Sequence, residues 1–168
     1  MKLYPSLRVE KLGASHDLSA FDCGSPALNR FLKIHALANS RSGSAQTYVA
    51  VAPDGIVGFY SLTVGEVAYE AAPERLAKGL ARHPVPIVIL ARLGVDLAHQ
   101  GRRIGAGLLI DALRRSRDAA EIAGVRAFVV HAKDEAAAAF YQRAGLEPFE
   151  QQPFTLYLLM KDIRAMLG

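Results

Sequence analysis

Apolar residues recur along the chain at two periods, and the switches between those periods mark out its elements. Residues 7–12 (Leu-Arg-Val-Glu-Lys-Leu) alternate and predict a first strand. Phe21-Asp22-Cys23-Gly24 reads as a turn, after which Ser25 and Pro26 supply an N-cap and a proline at the first helical position. The helix that follows places Leu28, Phe31, Leu32, Leu37 and Ala38 on one face and leaves Arg30 and Lys33 off it. Residues 40–44, Ser-Arg-Ser-Gly-Ser, predict a polar, mobile loop. Residues 46–52 and 56–67 are strand-like runs joined by Pro53-Asp54-Gly55, the pattern of an antiparallel hairpin. Residues 73–82 predict a short helix whose basic side carries Arg75, Lys78 and Arg82, and Pro84 and Pro86 end it.

A strand of β-branched residues then opens at Ile87, and residues 92–96 alternate around Gly94. A glycine inside a strand pattern suggests a bulge or a close approach of other atoms. From Ile104 the period is helical again, through Leu108, Leu109, Ala112, Leu113, Ser116 and Ala120, with the charged residues largely off that stripe. Gly124 is expected to close this helix. Residues 126–132 predict a strand, Asp134 a cap for a helix over 135–144, and residues 146–149 and 154–161 the closing strands before a tail helix. The order βα, hairpin, helix, βαβα, ββ indicates an α/β sheet with helices on both faces. No repeat or linker interrupts it, so residues 1–168 are expected to form a single domain.

Composition narrows the class. A 51% hydrophobic chain of 168 residues can bury a real core. No apolar run approaches the length that spans a bilayer, and the opening MKLYPSLRVEKLG lacks the apolar segment of a secretory leader. One cysteine, Cys23, excludes an internal disulfide and fits a reducing cytoplasm. The five histidines show no ligand spacing, so no metal is expected. The net charge of +4 permits a polyanionic partner.

The chemistry concentrates where the strand of Gly94 gives way to the helix of Ile104. The first N–H groups of a helix lack internal partners, and the helix dipole adds partial positive charge. Gly101, Gly105 and Gly107 let backbone approach a bulky anion, and Arg102 and Arg103 add full charges, which together make a diphosphate cradle. No Gly-Lys-[Ser/Thr] is present, and the glycines do not fit G-x-G-x-x-G.

Arg102-x-x-Gly105-x-Gly107, preceded by Gln100, resembles the acetyl-CoA motif of the GNAT N-acetyltransferases. The element order resembles that family's mixed central sheet, with a splayed strand pair holding the cofactor. The resemblance implies that Leu93 and Val95, flanking Gly94, pair with the pantetheine through their backbone. It implies that Gln100, Gly101, Arg102, Arg103, Ile104, Gly105, Ala106 and Gly107 hold the pyrophosphate of acetyl-CoA.

Further strings look like the GNAT toxins of type II toxin–antitoxin modules. These are Phe21-x-Cys23-Gly24, Leu28-Asn29-x-Phe31-Leu32, Gly58-Phe59-Tyr60-Ser61-Leu62, Arg92-Leu93-Gly94-Val95-Asp96, His131-Ala132-x-Asp134-Glu135 and Phe140-Tyr141. That resemblance implies acetylation of the amino group of aminoacyl-tRNA, which blocks translation, and neutralisation by a ribbon-helix-helix antitoxin. It implies no membrane partner and is compatible with a homodimer.

Tyr141 becomes the candidate general acid for the leaving thiolate, against the alternative of a half-buried core tyrosine. Arg30, Lys33, Arg75, Lys78, Arg82 and Arg92 are the candidates for contact with tRNA. Arg92, inside an apolar strand, needs a partner: a carboxylate or the acceptor's phosphate. His131 ends a strand and reads as a base or as a satisfied edge histidine, the second being the commoner fate. Two other functions stand beside this one. One is the same chemistry on a small amine or a protein amine; the other is a non-catalytic acyl-CoA-binding module.

Overall fold

A computed structural model describes residues 8–168, so Leu7 of the first expected strand lies outside the described residues. The elements in chain order are β1 (Arg8–Lys11), α1 (Pro26–Arg30), a π-helical turn (Phe31–His35), α2 (Ala36–Ser42), β2 (Gln46–Ala52), β3 (Gly55–Val67) and α3 (Glu74–Ala77). They continue with β4 (Val85–Val95), α4 (Ile104–Ala120), β5 (Ala127–His131), α5 (Glu135–Arg143), β6 (Glu147–Phe149), β7 (Gln152–Leu159) and α6 (Met160–Leu167). The strands form one seven-stranded sheet in the order β1-β2-β3-β4-β5-β7-β6. Only β4 and β5 pair in parallel among the registers described; β1/β2, β2/β3, β5/β7 and β6/β7 are antiparallel. No helix among the described residues is long and apolar enough to cross a membrane.

The chain divides into two compact units, residues 1–63 with 91–112 and residues 64–90 with 113–168. In the first, Leu12, Phe21, Phe31, Leu32, Ala36, Val49 and Phe59 form a buried cluster. Phe59 has no exposed surface, stacks on Phe31 and meets Phe21 edge-on. In the second, Leu76, Val85, Ile87, Ala127, Val129, Phe149, Tyr157 and Leu159 form another.

The helix after Ser25 departs from its expected face. Ser25 does cap it, accepting from the Leu28 N–H. A π turn then inserts one extra residue, which rotates everything beyond it. Ala36 is therefore the buried residue of the next turn, and Ala38 is not among the buried ones. The helix also runs on through Ser40 and Arg41 to Ser42, where Gly43 closes it at φ +79°. The expected polar loop is thus mostly helix.

The basic helix expected over 73–82 shrinks to the single turn of α3. Lys78 is extended (ψ 127°) and Gly79 is left-handed (φ +79°), so the chain leaves the helix after Ala77. Arg126 takes up the carbonyls of that turn, donating from Nε to Leu76 (3.0 Å) and from Nη2 to Arg75 (3.3 Å) and Lys78 (3.1 Å). α4 likewise ends at Ala120, in a turn through Ala123, before Gly124.

Candidate functional site

β4 and β5 run in parallel register from Ile87↔Ala127 to Leu90↔Val130, and β4 continues to Val95. At the end of β4 the chain is tied down within the first unit. The Asp96 N–H donates to Val57 O (2.9 Å) and that of Leu97 to Asp22 O (2.8 Å). The Asp96 carboxylate accepts from the N–H groups of Ala98 (3.0 Å) and Asp22 (3.1 Å). Gln100 donates its amide to Val95 O at 3.0 Å. Burial pushes the Asp96 carboxyl up, but these N–H groups and His99 outweigh it and hold it below the ordinary aspartate range. Asp96 is therefore a structural cap.

Two left-handed residues follow, Gly101 at φ +81° and Arg103 at φ +62°, and then α4 starts at Ile104. Arg103 is the only non-glycine with positive φ among the described residues. That conformation costs an L-residue about 1–2 kcal/mol, and such strain gathers where ligands bind. Left-handed residues in a turn are the backbone of anion-binding nests, and Gly101 and Arg103 lie just before the positive end of the 17-residue α4. Gly101, Arg102 and Arg103 are exposed, and Gly105 and Ala106 are half-buried. The residues present fit a diphosphate.

Gly58 sets how close the helix lies. A Cβ there would come within 2.8 Å of Leu108 Cδ1 and 3.2 Å of Gly94 O. Gly94 is explained without a ligand: a Cβ on it would meet Phe59 Cε1 at 3.1 Å and Cys23 Sγ at 3.3 Å. The close approach expected at this glycine is made by the protein itself.

Arg92, the arginine whose partner the sequence left open, lies with Cζ 3.8 Å over the Phe31 ring. Its partner is an aromatic face, and no carboxylate bonds it among the described residues. Arg30, next to Phe31 in the chain, is exposed; Lys33 is exposed too and donates to Ser19 O at 3.3 Å.

The remaining candidates belong to the second unit. Asp134 caps α5 through the Ala137 N–H (2.8 Å). Tyr141, on α5, is 8% exposed; burial pushes its hydroxyl up to about 12. That hydroxyl makes no hydrogen bond to another described residue, while the ring meets Phe140 edge-on. His131 stands one residue past the last parallel pair of β5 and is exposed. Its Nδ1 lies 3.1 Å from Thr155 Oγ1, which donates to Gln152 Oε1 at 3.2 Å. One ring nitrogen is thus partnered at the strand end, and Nε2 bonds no other described residue.

Arg75 is occupied by Glu147 (2.9 Å) and Asp162 (3.0 Å). The hydrogen bond from Arg75 to Asp162 and the nearby Glu147 charge raise its pKa further. Arg82 reaches Glu70 at 4.0 Å and lies over Tyr69, and Lys78 is exposed. The six cations proposed for tRNA thus fall into two groups, Arg30, Lys33 and Arg92 in one unit and Arg75, Lys78 and Arg82 in the other.

Sequence reading missed His99 and Asp54, which fix the segment before the nest. His99 Nε2 meets Asp54 Oδ2 at 3.0 Å, and Nδ1 meets Asp96 Oδ1 at 3.3 Å. Asp54 lies in a hairpin turn 45 residues earlier, and nothing local in the sequence links the two.

A strand that outruns its parallel neighbour, a left-handed anion nest and a helix start define a class, and the chain belongs to it: it is a member of the GNAT acetyltransferases, whose acetyltransferase (GNAT) domain model matches residues 43–148. Within that family it is 40% identical over 158 residues to a tRNA-acetylating toxin of Mycobacterium tuberculosis strain H37Rv, covering 94% of this chain and 95% of that one. Its structure superposes on AtaT complexed with acetyl-methionyl-tRNAfMet at a TM-score of 0.88 and 29% identity, covering 96% of this chain and 99% of that one. A tyrosine-to-phenylalanine mutant of AtaT, bound to the C-terminus of the antitoxin AtaR and acetyl-CoA, matches at a TM-score of 0.82 and 28% identity, covering 97% and 99%.

Proposed function

We propose that this chain is an acetyl-CoA-dependent N-acetyltransferase toxin that acetylates the amino group of aminoacyl-tRNA in the cytoplasm and so stops translation. The observation that carries the cofactor reading is the left-handed pair Gly101 and Arg103 at the start of α4. The acceptor reading rests on likeness to the tRNA-acetylating toxin and to AtaT with its acetylated tRNA. A ribbon-helix-helix antitoxin is the proposed neutralising partner, by likeness to AtaT with AtaR. A homodimer is compatible with this reading.

In this reading residues 100–107 hold the pyrophosphate, and the backbone of Leu93 and Val95 extends the pantetheine as an added strand. Acetyl-CoA supplies the acetyl group as a thioester. Tyr141 provides the proton that the departing sulphur needs. With its hydroxyl at about 12, it stays protonated throughout the neutral range. Full transfer to an ordinary thiolate, with a pKa of about 8.5, is uphill by roughly 3.5 units, or about 5 kcal/mol. The same gap makes the resulting tyrosinate a strong base for the proton that the new amide nitrogen must lose. Tyr141 therefore begins and ends the cycle protonated, and the N–C bond formed balances the C–S bond broken. Arg92, held over the Phe31 ring, keeps its N–H edges for an acceptor phosphate, and exposed Arg30 and Lys33 extend that basic run.

The test incubates purified protein and acetyl-CoA with a full set of charged tRNAs at low salt, then reads the released aminoacyl nucleoside by mass spectrometry. An added acetyl group on at least one aminoacyl adenosine is expected. If every charged tRNA stays unmodified at high enzyme, the toxin reading is wrong and acetylation of a small or protein amine takes its place.

A further inference from the structure

We infer that His99, clamped between Asp54 and Asp96, is a positioning residue for acetyl-CoA, holding the phosphate-binding turn in shape before the cofactor arrives. This rests on the reading of residues 100–107 as the pyrophosphate site.

A non-glycine residue stays left-handed only where its surroundings over-determine it. The turn around Arg103 is exposed at Gly101, Arg102 and Arg103, and a Cβ on Gly101 would meet no protein atom within 4 Å. Its flanks are held on both sides. On one side α4 is pressed onto Gly58 through Leu108 and Ile104. On the other, residues 96–100 are held by three separate segments of the same unit. Val57 of β3 accepts from the Asp96 N–H, the loop at Asp22 and Cys23 bonds Asp96, Leu97 and Gln100, and the β2–β3 turn reaches in through Asp54.

His99 joins the last of these to the others. Its side chain is only 13% exposed, and each ring nitrogen faces a carboxylate from a different place in the chain. Asp96 is 14% exposed and already bears two backbone N–H groups, so that end of the clamp is rigid; Asp54 sits on an exposed turn at 66%. Two residues separate His99 from Arg102, so a backbone shift at His99 is passed within a few residues to the turn. A turn held in its bound shape spares the cofactor the cost of ordering it, and the gain is read as affinity.

The experiment measures acetyl-CoA affinity by titration calorimetry on the full chain, with the melting temperature of each unliganded variant alongside. His99→Ala is expected to weaken acetyl-CoA about tenfold, equivalent to about 1.4 kcal/mol, and to raise its KM while kcat at saturating cofactor changes far less. Asp54→Ala, on an exposed turn and safe for folding, should weaken binding several-fold. Asp54→Asn keeps an acceptor oxygen for Nε2 and should recover most of that loss. Unchanged affinity in folded His99→Ala and Asp54→Ala overturns the proposal. So does a drop in kcat at saturation as large as the drop in affinity, with no recovery in Asp54→Asn, because that pattern is general damage to the unit. Gly105→Glu separates the two readings. If it too leaves affinity unchanged, the pyrophosphate site lies elsewhere; if it abolishes binding while the His99 and Asp54 variants bind normally, only the clamp is wrong.

Discussion

The two units carry basic residues in similar number and use them differently. The unit of residues 1–63 and 91–112 has nine Lys and Arg against six Asp and Glu; that of residues 64–90 and 113–168 has eleven against ten. In the second, Arg126 caps α3, Arg75 is paired twice, Arg164 holds Glu121, and Arg117 donates to the Gly168 carbonyl. In the first, Arg8 pairs with Glu10 and Lys33 donates to Ser19 O, but Arg30 and Arg103 are exposed, and Arg92 rests on an aromatic ring that leaves its polar edges uncommitted to any carboxylate among the described residues. A formal net charge of +4 conceals this division. What matters for an anionic partner is which cations are already spent inside their own unit.

The sharpest way to break the comparison is to destroy the anion nest and ask whether anything else in the chain holds the cofactor. Gly105 lies in the first turn of α4 and is half-buried. Gly105→Glu places a carboxylate where a phosphate should sit, while a glutamate near a helix N-terminus favours the helix itself. The expected outcome is a folded protein with acetyl-CoA binding weakened by at least about a thousandfold, below detection in calorimetry. Affinity like that of the unaltered chain would show that the cations of the first unit do not serve the cofactor.

Next in size is Tyr141, which tests whether the second unit supplies chemistry as well as structure. Tyr141→Phe should lower turnover about a hundredfold or more, the usual scale of general acid catalysis, with acetyl-CoA affinity little changed. Its raised pKa gives a second readout. The folded hydroxyl ionises near 12 and the unfolded one near 10, so the two states bind protons equally below pH 10. Between pH 10 and 12 the unfolded chain loses its proton first, and stability falls as pH rises, by about 3 kcal/mol in all. Denaturant melts at pH 9 and pH 11.5 should show about 2 kcal/mol of that loss, and Tyr141→Phe should remove it, leaving the contribution of Tyr157, whose hydroxyl is also pushed up by burial. An equal alkaline loss in the phenylalanine variant would mean that the hydroxyl is not held in a buried setting.

Much of this was legible in the sequence because it is local. The strand, turn and helix around the nest follow from β-branched residues, glycines and a helical stripe that lie close together in the chain, and the structure sets them as expected. Ser25 and Asp134 cap the helices assigned to them. What failed was fixed by distant contacts. The buried face of the first helix turned on a π insertion that no residue type announces. Residues 73–82 looked basic and helical, yet Arg126, 50 residues away, holds the one turn that forms, and Glu147 and Asp162 take its arginine. The clamp on His99 needed a carboxylate from another hairpin. The role of Gly94 was ambiguous until Phe59 and Cys23 were placed against it.

The smallest effect is the one that sharpens the comparison most, because it sets two groups of cations against each other in one assay. Replacing Arg30 and Lys33 with glutamine should raise the KM for aminoacyl-tRNA several-fold. It should also reduce the slope of log affinity against log salt by roughly 0.7–0.9 for each phosphate no longer neutralised, about 1.5 for the pair. Acetyl-CoA affinity should not move, since the diphosphate site proposed at residues 100–107 is left untouched. Replacing Arg75 with glutamine should do the reverse. Its pairs with Glu147 and Asp162 are about half exposed and salt-screened, so the melting temperature should fall by no more than about 3 °C, while KM and salt slope stay put. An altered salt slope in the Arg75 variant would mean that its carboxylate partners release it to RNA, and that the second unit's cations are held in reserve. An unaltered slope in the Arg30 and Lys33 variant would remove the first helix from the tRNA interface and leave Arg92 to carry it. That role is then open to Arg92→Lys, which keeps the charge but gives up the plane that lies on Phe31.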